Sequence, residues 1–299
     1  MEWLVKESEE YRSQIRRGPF FKSLTRADRP NDLQWIHQLI HQSREFTQAL
    51  CLRYSLCHDR RWQSVFAEHA LEEADHPDQL IAWMNEHGFL KGAEPGTVPP
   101  TQETANCTAF SWRSALREPH DVQVVGLNLL SEGVAFDFYS AVIPVLQRLK
   151  VLSGRYWKVH TDVDQHHLTM GMDLCAPVGP DSEKGRRYSD VLWHSASLYH
   201  QMLSSWVGEH VAPLHRLHEA ENPMRASSGS RREIDAGSLP GCSSATRERC
   251  ATCPWAGLRT EEKVGPSNSA AGHMRRNIDW AARPATNGVH HKIGIPASG

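Results

Sequence analysis

Apolar residues recur at helical spacing through most of the first 220 positions. In NDLQWIHQLIHQSREFTQALCLRYSLC, residues 31–57, the positions Leu33, Ile36, Leu39, Ile40, Phe46, Ala49, Leu50 and Leu52 form one stripe. That period predicts an amphipathic helix, with Asn31 or Asp32 behind Pro30 as its N-cap. A second helical stretch runs over residues 60–87 and stops at Gly88. Pro77 lies inside it and predicts a kink or a break. The Gly- and Pro-rich KGAEPGTVPPTQET reads as a loop. A short helix follows over residues 105–116, then three long ones over 122–150, 154–174 and 182–218. No segment alternates in the manner of a strand. About five to seven helices in about 200 residues make an all-α bundle.

After residue 221 the texture changes. The tail is rich in Gly, Ser, Ala, Pro and Arg, has few Leu, Ile or Val, and no Phe. Such a composition buries too little surface to offset its ordering entropy. The expected organisation is therefore a folded unit over 1–221 and a disordered tail over 222–299. The tail holds 11 Lys+Arg against 6 Asp+Glu, a surplus of +5 that leaves −7 for the body of a chain with net charge −2. Cys250 and Cys253 are spaced CxxC, with Cys242, His273, His290 and His291 nearby. A second CxxC is missing and the spacing to His is irregular, so these read as incidental cysteines rather than a zinc site.

Composition removes several classes of function. Balanced charge argues against a nucleic-acid partner. Mean hydropathy is −0.53, and no run approaches the ~18–20 apolar residues of a membrane span. The N-terminus turns acidic at once, unlike a secretory signal. Seven cysteines, four of them (Cys51, Cys57, Cys107, Cys175) in helical segments, fit a reducing cytoplasm better than a disulfide framework. The 18 histidines raise the question of a metal.

Three clusters answer it. In YWKVHTDVDQHHLTM, His160, Asp164 and His167 stand at i, i+4 and i+7, one helix face. Mixed imidazole and carboxylate ligation suits a transition metal. His166 falls about 100° away from that face. In FAEHALEEADHPDQL, Glu73 and His76 are i, i+3, with Glu72 beside them and His69 one turn earlier as reserve ligands. The third is Glu132, alone among Leu129, Leu130, Val134, Ala135 and Phe136. A carboxylate on so apolar a helix faces inward and needs a partner or a metal. Glu73, His76, Glu132, His160, Asp164 and His167 thus offer six ligands, enough for two ions with open positions.

With Glu-x-x-His on one helix, Glu on a later one and His-x3-Asp-x2-His on the next, residues 20–218 resemble the haem-oxygenase-like diiron oxidases and oxygenases. That superfamily shares a seven-helix fold with haem oxygenase, TenA and PqqC. The resemblance implies two Fe(II) ions, with O2 as co-substrate. It also implies oxidation of a small amine, amino acid or carboxylic acid in a biosynthetic pathway, through N-oxygenation, desaturation, C–C cleavage or decarboxylation. Iron would supply the one-electron chemistry that side chains lack. Phe136, Phe138, Tyr139 and Trp157 are near enough to line a dry cavity, and Tyr139, i+7 from Glu132, is a weak catalytic candidate. Arg53, Arg155 and Lys158 are available for a substrate carboxylate. An external electron donor and a homodimer are compatible with this reading. Two others compete: a metal-independent TenA- or PqqC-like enzyme with Cys51 or Cys175 as nucleophile, and a non-enzymatic helical adaptor.

Overall fold

The computed structural model describes residues 1–217, apart from the side chains of residues 161–165. Those residues form an all-α bundle: α1 (Glu2–Arg16), α2 (Pro19–Leu24), α3 (Ile36–Leu56), α4 (Arg60–Glu72), α5 (His76–Glu86), α6 (Gln102–Arg117), α7 (His120–Arg148), α8 (Gly154–Thr169) and α9 (Glu183–Ser205). Short 3₁₀ turns at Pro30–Leu33 and Met172–Leu174 complete the described chain. Side-chain caps start three of these helices. Asp59 accepts from the Arg61 N–H, Thr101 from that of Thr104, and Ser182 from that of Gly185, each satisfying an amide that the helix start leaves open.

The apolar stripe missed α1 and α2. Only Leu4, Tyr11 and Ile15 of α1 are buried hydrophobics, and Glu7, Ser8 and Arg12 are buried with them. Polar residues therefore occupy the inner face and mask its period. Arg12 forks onto Asp137 of α7, with Nε–Oδ2 at 2.9 Å and Nη2–Oδ1 at 2.7 Å. A side chain at Gly133 would meet Arg12 at 2.8 Å, so this glycine lets the guanidinium cross α7.

Other boundaries also move. The stretch over 60–87 is two helices: α4 ends at Glu72 and α5 starts at His76, with Pro77 in its first turn. The chain therefore breaks ahead of the proline, whose missing N–H costs nothing in an opening turn. The helix expected over 154–174 stops at Thr169, because Gly171 turns left-handed at φ 81°. The one expected over 182–218 stops at Ser205. The chain then folds back along α9, where the Trp193 indole N–H donates to Leu214 O (2.7 Å) and Arg216 lies 4.0 Å over the same ring.

Helix α7 runs through the middle of the bundle. By length and composition alone it could cross a membrane, but 61% of its most apolar window is buried inside the bundle, as in a core helix. Val124–Glu132 is wound as a π-helix, all nine residues buried; such stretches are often found at functional sites. The boundary expected at residue 221 lies outside the described residues. A chain truncated there is expected to unfold within a few degrees of the full chain and to take up as much iron, by calorimetry and metal analysis.

Candidate metal centre

Four helices supply the site. His69 is in the last turn of α4, Glu73 caps that helix, and His76 opens α5. Glu132 ends the π-helical stretch of α7, and α8 carries His160 and His167. The Glu73-x-x-His76 pair thus straddles a helix break and is not a pair on one helix face. Its side chains still meet, His76 Nδ1 lying 2.7 Å from Glu73 Oε2.

Ligand atoms gather in two overlapping groups, each within 4.8 Å: His69, Glu73, Glu132 and His167, and Glu73, His76 and His160. All are buried, and Glu73 belongs to both. Asp164 is on α8 between His160 and His167, but its side chain is among those outside the description. Glu72 joins neither group; its carboxylate accepts from His167 Nε2 at 2.7 Å. His166 faces outward, 57% exposed, 3.6 Å from Glu68.

The donor set fits a cation. His167 Nδ1 and Glu73 Oε1 are buried 3.3 Å apart, and neither completes a hydrogen bond; groups of this kind call for an explanation. With Nε2–H committed to Glu72, the Nδ1 lone pair is the one left for a metal, the carboxylate–histidine–metal pattern. Without a metal, a proton takes that place. Burial alone would lower the pKa of His167, but the nearby carboxylates of Glu132 and Glu73 push it up to about 11. Both carboxylates are raised by burial and more strongly lowered by histidines: Glu73 by His167 and His76, Glu132 by His167 and His69. Burial holds His160 down at about 3 and lowers His69. Two carboxylates thus face an imidazolium and, behind His69, the Arg53 guanidinium.

Asn128 escaped the sequence reading of the site, which offered Arg53 only as a partner for a substrate carboxylate. Arg53 is not a solvated cation waiting for a substrate carboxylate. It is 1% exposed, lies 4.2 Å over Phe66, and donates to Asn128 Oδ1 and His69 Nδ1, both at 2.8 Å. Burial lowers its pKa to about 9, which leaves it charged at neutral pH. The available signal was position: Arg53 continues the apolar stripe of α3 through Phe46 and Leu50, and Asn128 sits one turn before Glu132.

A cavity of about 550 Å³, counting its mouth, opens onto Glu73, Glu132 and His160. Phe138, Tyr139, Val134, Leu39 and Met202 are among its apolar walls, and Gln42, Ser43, Ser131 and Tyr199 bring its neutral polar groups. Phe136 and Trp157 do not line it; Trp157 packs on Trp83 instead, at 5.0 Å. The Tyr139 ring lies flat on His160 (3.9 Å, 3°), and its hydroxyl meets that of Tyr156 at 2.6 Å. Arg155 and Lys158 are exposed on α8 and absent from the lining.

Residues 33–200, more than half of the chain, match the family described as iron-containing redox enzymes. The chain belongs to that family. Its fold is similar to the crystal structure of a TenA homolog from Pseudomonas syringae pv. tomato, with a TM-score of 0.57 at 12% identity. The match covers 70% of this chain and 92% of that one. No curated protein matches the sequence significantly. The haem-oxygenase-like fold and membership of an iron-containing redox family are thus in place, as the resemblance implied.

Proposed function

We propose that this member of the iron-containing redox family is a non-haem diiron enzyme that uses O2 to oxidise a small organic substrate. The observation that carries this reading is the shared carboxylate: Glu73 lies in both ligand groups, beside the uncompleted Nδ1 of His167. Glu73, Glu132, His167, His76 and His160 would hold the metal, joined by Asp164 from α8. Iron bound there supplies the one-electron and O2 chemistry that the side chains cannot.

The chain's own residues do the rest. Glu72 fixes the His167 ring by accepting its Nε2–H. Tyr139 packs flat on His160 and holds that imidazole at the cavity wall. The apolar walls exclude water and hold the substrate by shape, with Gln42, Ser43 and Tyr199 to orient its polar atoms. Among the described lining residues there is no Lys or Arg, which favours an amine over a substrate with a free carboxylate. The metal-independent reading loses support because burial pushes the Cys175 thiol up to about 12, unlike an activated nucleophile. Cys51 is exposed and absent from the cavity lining.

The test is anaerobic titration with ferrous ion, followed by mixing with oxygenated buffer. Uptake of two ions per chain and consumption of O2 are expected. A folded chain that binds no iron at millimolar concentration would return the protein to the metal-independent reading.

A further inference from the structure

His69 has the reach of a metal ligand, but the nitrogen that faces the centre holds the ring proton instead of a lone pair. Arginine can only donate hydrogen bonds, so Asn128 turns its Oδ1 toward Arg53 Nη1 (2.8 Å). The Asn128 amide nitrogen then faces His69 Nδ1 at 2.9 Å and the His167 carbonyl at 3.2 Å. Arg53 Nη2 points at the same Nδ1 from 2.8 Å. Two donors converge on one ring nitrogen, which therefore carries the lone pair. The ring proton sits on Nε2, 2.7 Å from Glu132 Oε1. A metal on Nε2 would need the proton on Nδ1, straight against the guanidinium.

We propose that His69 serves the centre as a hydrogen-bond donor to Glu132, and that Arg53 and Asn128 are the positioning residues that lock this tautomer. The proposal rests on the diiron reading for its purpose, but the tautomer stands independently of it. With Oε1 held by His69, Glu132 keeps Oε2 for the His167 side of the group, where the two atoms lie 3.8 Å apart. The buried Arg53 guanidinium polarises the imidazole whose Nε2–H donates to that carboxylate.

The experiment is nitrogen-15 NMR of the histidine rings in the full chain, metal-free and zinc-loaded, with His69→Gln to identify the signal. His69 is expected as the Nε2–H tautomer in both states. Arg53→Met, of similar length, should leave a mixture of tautomers in a folded chain. Glutamine at 69 can still donate an amide N–H to Glu132, whereas leucine cannot. His69→Gln should therefore keep the zinc stoichiometry and an affinity within about threefold, while His69→Leu loses ~10–100-fold, the range seen when a partner of a metal ligand is removed. An Nδ1–H tautomer in the metal-free chain overturns the proposal. So does loss of the Nε2 proton on zinc loading, or a glutamine variant that loses an ion as fully as leucine does. A wild-type chain that keeps the Nε2–H tautomer and binds no metal would instead overturn the diiron reading.

Discussion

Glu73→Ala is expected to abolish iron loading at both positions, whereas Glu72→Ala weakens binding by only ~10–100-fold. The two residues are neighbours in sequence and differ completely in place. Glu73 caps α4, is 5% exposed, and presents one oxygen to His76 and the other toward His167. Glu72 lies half outside and touches the centre only through His167 Nε2. Removing a ligand shared by two groups takes a donor from both. Removing Glu72 frees one imidazole to turn. Because alanine at 73 leaves the buried His167 charge short of one carboxylate partner, Glu73→Gln should be made beside it: it keeps the volume and loses the charge. Iron per chain after anaerobic loading, with circular dichroism to show both variants folded, decides the matter. Stoichiometric loading of Glu73→Gln would remove Glu73 from the centre.

Metal affinity is expected to rise about tenfold per pH unit across the neutral range on account of His167 alone. In the metal-free protein its pKa is pushed from 6.5 up to about 11, so the ring carries a proton at every pH of practical use. A metal on Nδ1 must displace that proton, and lower pH therefore weakens binding. The same shift sets a sign for folding. A raised histidine pKa stabilises the metal-free fold fully below about 6.5, and that contribution fades as pH climbs toward about 11. The metal-free chain should thus lose stability with rising pH over a window in which the loaded chain, whose His167 carries no second proton, holds level. Proton release on zinc addition, read with an indicator dye at several pH values, checks the slope. His167→Ala should lose both affinity and the released proton. His166→Ala should keep both, since that ring is exposed beside Glu68. The reverse outcome would mean that the register assigned to α8 is wrong.

Periodicity alone was enough to establish the helical class of this chain. A 3.6-residue apolar repeat leaves no other fold to choose, and the three stretches at 122–150, 154–174 and 182–218 became α7, α8 and α9 with shifted ends. It also marked Glu132, because a carboxylate among leucines and valines has nowhere to go but inward, and it separated His167 from His166 by rotation about one helix. Relations between helices were beyond its reach. Whether Glu72 or Glu73 faces the centre depends on where α4 breaks, and the chain breaks after Glu72, ahead of Pro77. The N-terminal helix was hidden because its inner face is built from an ion pair, Arg12 with Asp137, that exists only once α7 lies alongside. Arg53 reads as a surface cation until Asn128, 75 residues later, supplies the acceptor that makes its burial tolerable. Local sequence decides which face a residue occupies on its own helix. Only the tertiary structure decides what waits opposite, and with it which nitrogen of His69 holds the proton.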